Sequence, residues 1–276
     1  MASKPKYPIY IISKGRYEKT LTADNLEKSG LNYLIAVEPQ EYELYVKKLG
    51  AERVLKLPFS NLGLGSYPAR NYCWEHSKIN GHKYHWLFDD NIIEWKKWIN
   101  GMRTHIDDLI PAFLYVENYA DKTNIDILGF EEPNFVVRIP KRPFKENCHV
   151  YSAMLIKNSL PFRWRLKYNE DIDLCLQVLH NGGTTASCVY YLADKVSTAN
   201  KMKGGNQTEL YKGNDPKKNL LKAKILELVV IISTHNFKIS FKNKWPLYVK
   251  TVIRFKRHHY LIDWKQFKKS NSITTQ

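Results

Sequence analysis

Through the first ninety residues, short apolar or β-branched runs alternate with stretches of helical period, and this alternation narrows the fold more than any other feature of the chain. Residues 7–13 read as a buried strand ending at Lys14 and Gly15, and a helix over about 22–29 stops at Gly30. A second strand, 33–37, runs into Glu38 and Pro39. Tyr42, Tyr45, Val46 and Leu49 then recur at helical spacing until Gly50. Residues 54–57 make a third strand, followed by a glycine-punctuated loop over 58–68, a helix over about 69–79 and a strand over 84–88. Units of this kind build a mostly parallel sheet, so the expected class is α/β. The middle of the chain reads as a helix near 106–119 with strands near 125–129 and 135–137.

In open α/β sheets, ligands sit outside the carboxyl ends of the strands. The strand over 84–88 ends in Asp89, Asp90 and Asn91. A divalent cation held between carboxylates and a diphosphate stabilises the charge that grows as a bond to the diphosphate breaks. The trio is therefore a candidate metal and diphosphate site; the competing reading is an acidic turn that caps the next element. A second acidic cluster, Glu170, Asp171 and Asp173, opens a helix over 170–179 that ends at Asn181, Gly182 and Gly183. Acids in a first helical turn oppose the helix dipole, which alone could account for them. The functional reading is a general base at Asp171, with Glu170 beside it.

Lys14, Gly15 and Arg16 follow the first strand, where backbone N–H groups and a guanidinium can meet phosphate or ribose. Gly63, Gly65, Ala69, Arg70 and Asn71 form a small-residue loop entering a helix, which suits close approach of a diphosphate or sugar and equally an ordinary helix start. Neither GxGxxG nor GxxxxGK[ST] occurs, which removes support for a dinucleotide enzyme or a P-loop NTPase.

Lys and Arg number 43 against 27 Asp and Glu, a net charge of +16. A balance so basic calls for a polyanionic partner, nucleic acid first and an anionic membrane surface second. Cys73, Cys148, Cys175 and Cys188 lie far apart with no CxxC pair, against both a zinc site and a disulfide framework, so a reducing cytoplasm is expected. The first ten residues make a poor signal peptide. The most apolar later stretch, 225–232, is interrupted by Glu227 and falls far short of the roughly 20 apolar residues a membrane span needs.

Two units are expected: 1–215 as the main domain and 216–276 as a basic, mainly helical extension packed on it. Between 235 and 276 the basic side chains, among them Lys250, Arg254, Lys256 and Arg257, face the single acid Asp263. Interleaved aromatics such as Trp245, Tyr248, Tyr260, Trp264 and Phe267 set the segment apart from a disordered arm. A helix showing DNA a basic face is the first reading, and a membrane-surface helix the second.

Several stretches, taken in order, resemble the TET-associated glycosyltransferase family of phages. They are the strand ending Ser13, Lys14, Gly15, Arg16; the stretch Glu38 to Tyr42; and above all LPFSNLGLGSYPARNYCWEHSKINGHKYHWLFDDNI over 57–92. YNEDIDLCLQVLHNGG, 168–183, is similar to the Glu-Asp base motif of GT-A enzymes, and the resemblance covers roughly 7–207. It implies a GT-A type Rossmann-like sheet that moves a sugar from a nucleotide donor, UDP-glucose or a related UDP-hexose, to the hydroxymethyl group of a modified pyrimidine in double-stranded phage DNA. It implies Mn²⁺ or Mg²⁺ on Asp89, Asp90 and Asn91, and Asp171 as base. Ser13, Lys14, Arg16, Glu38, Gly65, Arg70, Asn71 and Asp89 would line the donor pocket, and the setting would be the cytoplasm of an infected bacterium. Asn91 departs from the usual third Asp. The His that often completes the metal shell has only His149 and His180 as candidates, and each also reads as a structural histidine. Two other functions stay open: a GT-A enzyme of surface polysaccharide or lipid-linked sugar synthesis, and a non-catalytic basic DNA-binding protein.

Overall fold

The structure, a computed structural model, describes residues 4–196, 204–205, 216–227, 231–234, 237–240, 245, 248–254 and 257–273. Strands β1 (Ile9–Ile12), β2 (Leu34–Val37), β3 (Val54–Lys56) and β4 (Tyr84–Asp89) lie side by side in the order β3-β2-β1-β4, all parallel. Helices α1 (Leu21–Lys28), α2 (Tyr42–Leu49) and α3 (Tyr67–Ile79) make the crossovers. The alternation in the sequence produces this half of the sheet directly, and it brings the ends of β1, β2 and β4 to one edge.

The second half is mixed. β5 (Ile92–Ile99) and β6 (Met102–His105) form a hairpin, and α4 (Ile110–Thr123) leads into β7 (Ile127–Glu131). β8 (Phe144–Glu146), β9 (Ala153–Lys157), α5 (Glu170–His180) and β10 (Thr185–Lys195) follow. β9 runs antiparallel between β4 and β7, while β10 is parallel to β7 and antiparallel to β5 and β8. The whole sheet has ten strands. Because Phe88 of β4 pairs with Ala153, the start of β9 and the ends of β4, β7 and β10 share the same edge. The strand expected at 135–137 is absent; Pro133 opens a short 3-10 turn there, and a residue without a backbone N–H suits a turn better than a central ladder.

Two cores sandwich the sheet. Alternation along β4 sends Trp86 and Phe88 to one face and Leu87 to the other. Trp86 stacks on Phe130, centroids 5.2 Å apart, and Trp95 and Phe113 close that cluster beneath α4. Trp74 and Trp164 pack with Leu174, Cys175 and Val178 of α5 on the opposite face. Truncating an aromatic side chain in either layer should cost about 3–5 kcal/mol.

The C-terminal region packs against α5. Ile225, Leu226, Trp245, Val249 and Phe267 join Ile172, Leu176 and Leu179 in one buried cluster, and the Trp245 indole donates to Asp173 Oδ1 at 2.8 Å. Its architecture departs from a mainly helical extension. Helices α6 (Pro216–Lys224) and α7 (Trp264–Ser270) flank two hairpins, β11 (Ile231–Thr234) with β12 (Phe237–Ser240) and β13 (Val249–Arg254) with β14 (Arg257–Ile262). Val249, Thr251, Val252 and Ile253 explain the last of these: β-branched side chains crowd a helix and suit a pleated surface. No helix among the described residues is long and apolar enough to cross a membrane.

Candidate active site

Parallel pairing of β1 with β4 sets Ile12 beside Asp89, so the chain leaving each strand emerges next to the other. Ser13, Lys14 and Arg16 from the β1 exit, Glu38 from the β2 exit and Asp89 to Asn91 from the β4 exit all line one cavity of about 460 Å³. Gly65, Arg70, Glu170 and Asp171 line it too. The edge that the sequence marked with two acids is thus where its other polar candidates converge.

The two aspartates differ. Asp90 is buried, with one carboxylate oxygen ion-paired to Arg16 Nη1 and the other accepting from Ser13 Oγ. It holds the β1 exit loop to β4, and of the two acids expected to act as a ligand pair it is the one already engaged by side chains of that loop, although it too lines the cavity. Asp89 faces the cavity and accepts from Arg70 Nη2 at 2.7 Å. Burial works against its ionisation, but Arg70 and Lys195 hold its carboxyl below the ordinary value.

Arg70, only 4% exposed, ties the site together. It rises from the first turn of α3, bonds Ser66 Oγ through Nε at 3.2 Å, and lies 3.4 Å from Glu170 Oε1. Its guanidinium stacks over Trp164, 4.8 Å from the ring centroid. Its Nη1 is buried with no hydrogen-bond partner among the described residues. A planar donor fork beside a carboxylate suits a phosphate oxygen. Asn71 does not join it at the cavity: its amide donates to the Trp164 carbonyl and accepts from the Trp164 N–H, fixing the ring beneath Arg70.

Glu170 and Asp171 begin α5 but diverge. Glu170 accepts from Ser66 Oγ at 2.6 Å and sits against Arg70. Asp171 lines the cavity with Oδ1 accepting from the Ile172 N–H. Burial first, and then the charge of Glu170, push its carboxyl up to about 7. Asp173 turns away into a bidentate pair with Arg165.

On the β1–β2 side, Lys14 Nζ bonds Glu38 Oε1 at 3.0 Å, while Gln40 and the Asn61 N–H fix the other Glu38 oxygen. Burial opposes the Glu38 charge, but these donors hold its carboxyl below the ordinary value. Gly204 and Gly205 lie on this loop: the Gly205 N–H donates to the Lys14 carbonyl at 2.7 Å, and Arg16 Nη2 donates to the Gly204 carbonyl. A Cβ at Gly204 would fall 2.4 Å from the Gly15 carbonyl oxygen, and φ is +84° there, so glycine is required on both counts.

Sequence reasoning missed the opposite wall. A register shift between Asp194 and Lys195 at the end of β10 brings Lys195 to the cavity, bonded to Ser152 Oγ at 2.6 Å and Glu132 at 2.9 Å. Burial opposes its charge, yet Asp89, Glu132 and Asp171 hold its ammonium above the ordinary value. Phe135, Tyr151 and Tyr260 complete this wall, and Lys222 reaches it from α6. The strand-end argument that found Asp89 applies equally to Lys195; the aromatics carried no local signal.

Among the described residues no three His, Cys, Asp or Glu side chains stand together as a metal cluster. The available oxygens are the Asp89 carboxylate and Asn91 Oδ1, which is buried without a partner while Nδ2 donates to the Val196 carbonyl. Magnesium-type sites use one or two carboxylates with phosphate oxygens and water, and that chemistry fits these residues. Neither histidine belongs here: His149 packs on Tyr151 and Trp264, and His180 on Trp245. Lys250, Arg254 and Arg257 are exposed on β13 and β14, away from the cavity lining; Lys256 lies outside the described residues.

Residues 7–205 match the family model described as TET-Associated Glycosyltransferase. No curated protein matches the chain. A solved structure described as a candidate nucleotide-diphospho-sugar transferase from Desulfovibrio desulfuricans G20 is 11% identical, covering 60% of this chain and 74% of that one with a TM-score of 0.35. So slight a likeness carries no argument.

Proposed function

The chain belongs to the TET-associated glycosyltransferase family and is a glycosyltransferase, and from that premise we propose that it moves a hexose from a nucleotide-sugar donor, UDP-glucose or a close relative, to the hydroxymethyl group of a modified pyrimidine in DNA. The reading rests above all on Arg70, which joins Asp89 at the end of β4 to Glu170 at the start of α5 and so sets the diphosphate end of the cavity beside Asp171.

In this reading Ser13, Lys14, Arg16 and Glu38 take the nucleoside portion, and Gly65 admits the donor closely. Arg70 and Lys195 face the diphosphate as its bond to the anomeric carbon breaks. A Mn²⁺ or Mg²⁺ ion held by Asp89, with the Asn91 oxygen behind it, would add Lewis-acid stabilisation of that leaving group. Asp171 accepts the proton of the acceptor hydroxyl as its oxygen bonds the anomeric carbon, and a carboxyl titrating near neutrality suits a base working at that pH. The +16 charge supports a DNA acceptor, with Lys250, Arg254, Lys256 and Arg257 meeting the backbone. Residues 1–215 form the glycosyltransferase domain and 216–276 pack on it and add contacts to the duplex backbone, in the cytoplasm of an infected bacterium. Incubation with UDP-hexoses and DNA bearing hydroxymethylcytosine or hydroxymethyluracil, followed by mass analysis of the digested nucleosides, tests the proposal.

A further inference from the structure

Between Glu132 and Glu146 the chain starts at the cavity, which Glu132 and Phe135 line, and continues with no acid of its own, presenting two kinds of side chain to solvent. Arg138, Lys141, Arg142 and Lys145 are exposed cations. Phe135, Val137 and Ile139 are 57%, 76% and 63% exposed, unusual for large apolar groups. The tip of the β5–β6 hairpin adjoins them: a Cβ on Gly101 would lie 3.2 Å from Ile139 Cδ1, and Arg103 Nη1 donates to the Pro133 carbonyl at 2.7 Å. Met102, 66% exposed, extends the apolar ridge.

The ridge leads into the site. Phe135 lines the cavity and packs against Tyr151, rings 5.8 Å apart and 31° from parallel, and Tyr151 and Tyr260 share the wall that Asp171 completes. Flat aromatic faces beside the base are what a planar heterocycle would stack on. A base within a duplex cannot enter such a cavity; it must leave the stack, and apolar side chains inserted between base steps are a physical means of opening one.

We infer that residues 133–145 and the β5–β6 tip form a duplex-opening wedge: Val137 and Ile139 enter the stack, the neighbouring Arg and Lys side chains hold the flanking phosphates, and Phe135 stacks on the extruded acceptor base. The inference rests on the proposed DNA acceptor. Charge complementarity selects double-stranded DNA, and the aromatic wall beside Asp171 selects it over an anionic membrane, which would engage the ridge but has no use for that wall.

The test compares transfer to hydroxymethylcytosine in a duplex with transfer to the same strand alone, using the full chain and a Val137→Ser, Ile139→Ser double variant, with Phe135→Ala as a second. These side chains are largely exposed, so melting temperatures should stay near wild type. A single strand needs no opening, so losing the wedge should lower the duplex-to-single-strand rate ratio by roughly tenfold or more. A wild-type ratio in both variants overturns the inference, as does lost binding to anionic vesicles with duplex transfer intact. A wild-type protein that glycosylates neither form of the DNA but does glycosylate another acceptor overturns the proposed function, and the wedge with it.

Discussion

Arg70 Nη2 donates to Asp89 Oδ1 across 2.7 Å while its Nε lies 3.4 Å from Glu170 Oε1, so one side chain links the end of the fourth strand to the start of α5. The neighbouring acid is engaged differently: Asp90 turns inward to Arg16 and Ser13. Two adjacent carboxylates of one cavity thus hold different partners, Asp89 the α3 arginine and Asp90 the β1 exit loop.

That division separates their variants. Asp89→Asn should abolish measurable transfer and, because Arg70 keeps Glu170 and Ser66 as partners, should destabilise the protein less than Asp90→Asn does. Asp90→Asn breaks the buried ion pair with Arg16, a loss of about 3 kcal/mol in urea unfolding. Equal stability of the two variants contradicts the assignment.

Metal removal bears on Asp89 and Asn91 together. Transfer should fall to background in EDTA and return with Mn²⁺ or Mg²⁺, and Mn²⁺ titrated with UDP into Asp89→Asn should show weakened binding by calorimetry. Full activity in EDTA removes the ion from the account and leaves Arg70 and Lys195 to neutralise the leaving group.

Asp171 ties activity to stability. With its carboxyl raised to about 7 by burial and Glu170, the base form accumulates only as pH rises through that value, so the rate should climb there and level off above. The unfolded chain releases the same proton near about 4, so between about pH 4 and 7 the folded state binds more protons and stability falls as pH rises. Asp171→Asn removes that penalty. It should melt above wild type at about pH 8, match it near about pH 4, and lose on the order of a hundredfold in rate. A variant no more stable than wild type at the higher pH rules out the raised carboxyl.

Much of the site is legible in the sequence because each clue lies at the end of an element. Asp89 closes an aromatic-rich apolar strand, and Ser13 to Arg16 and Glu38 follow strands in the same way. Misreadings arise where sequence neighbours are assumed to be spatial ones. Arg70 and Asn71 are successive residues on a helix and so face different directions, one to the cavity and one to Trp164. Glu170 and Asp171 both line the cavity yet hold different partners. Lys195 closes β10 and obeys the same strand-end rule, but its placement also follows a register shift after Asp194. In the C-terminal region, charge and aromatic content mask the β-branched run at Val249–Arg254, which is the stronger signal and makes a hairpin.

That hairpin predicts sequence-independent DNA binding. Replacing Lys250, Arg254, Lys256 and Arg257 with Gln should weaken binding to modified and unmodified duplexes alike and flatten the salt dependence by about one unit of slope for each phosphate no longer neutralised. Unaltered DNA affinity together with lost binding to anionic vesicles would make the segment a membrane anchor and favour a lipid-linked or polysaccharide acceptor.

The identity of the acceptor is open to one direct measurement. DNA carrying hydroxymethylcytosine or hydroxymethyluracil is incubated with the full chain, UDP-glucose and Mn²⁺, then digested, and the nucleosides are weighed beside a parallel reaction with Asp171→Asn. The account predicts that the hydroxymethylated nucleoside gains the mass of one hexosyl unit in the wild-type reaction, with little or none in the variant. An unchanged nucleoside mass across a panel of nucleotide sugars, while the same protein transfers sugar to a lipid or glycan acceptor, would contradict it.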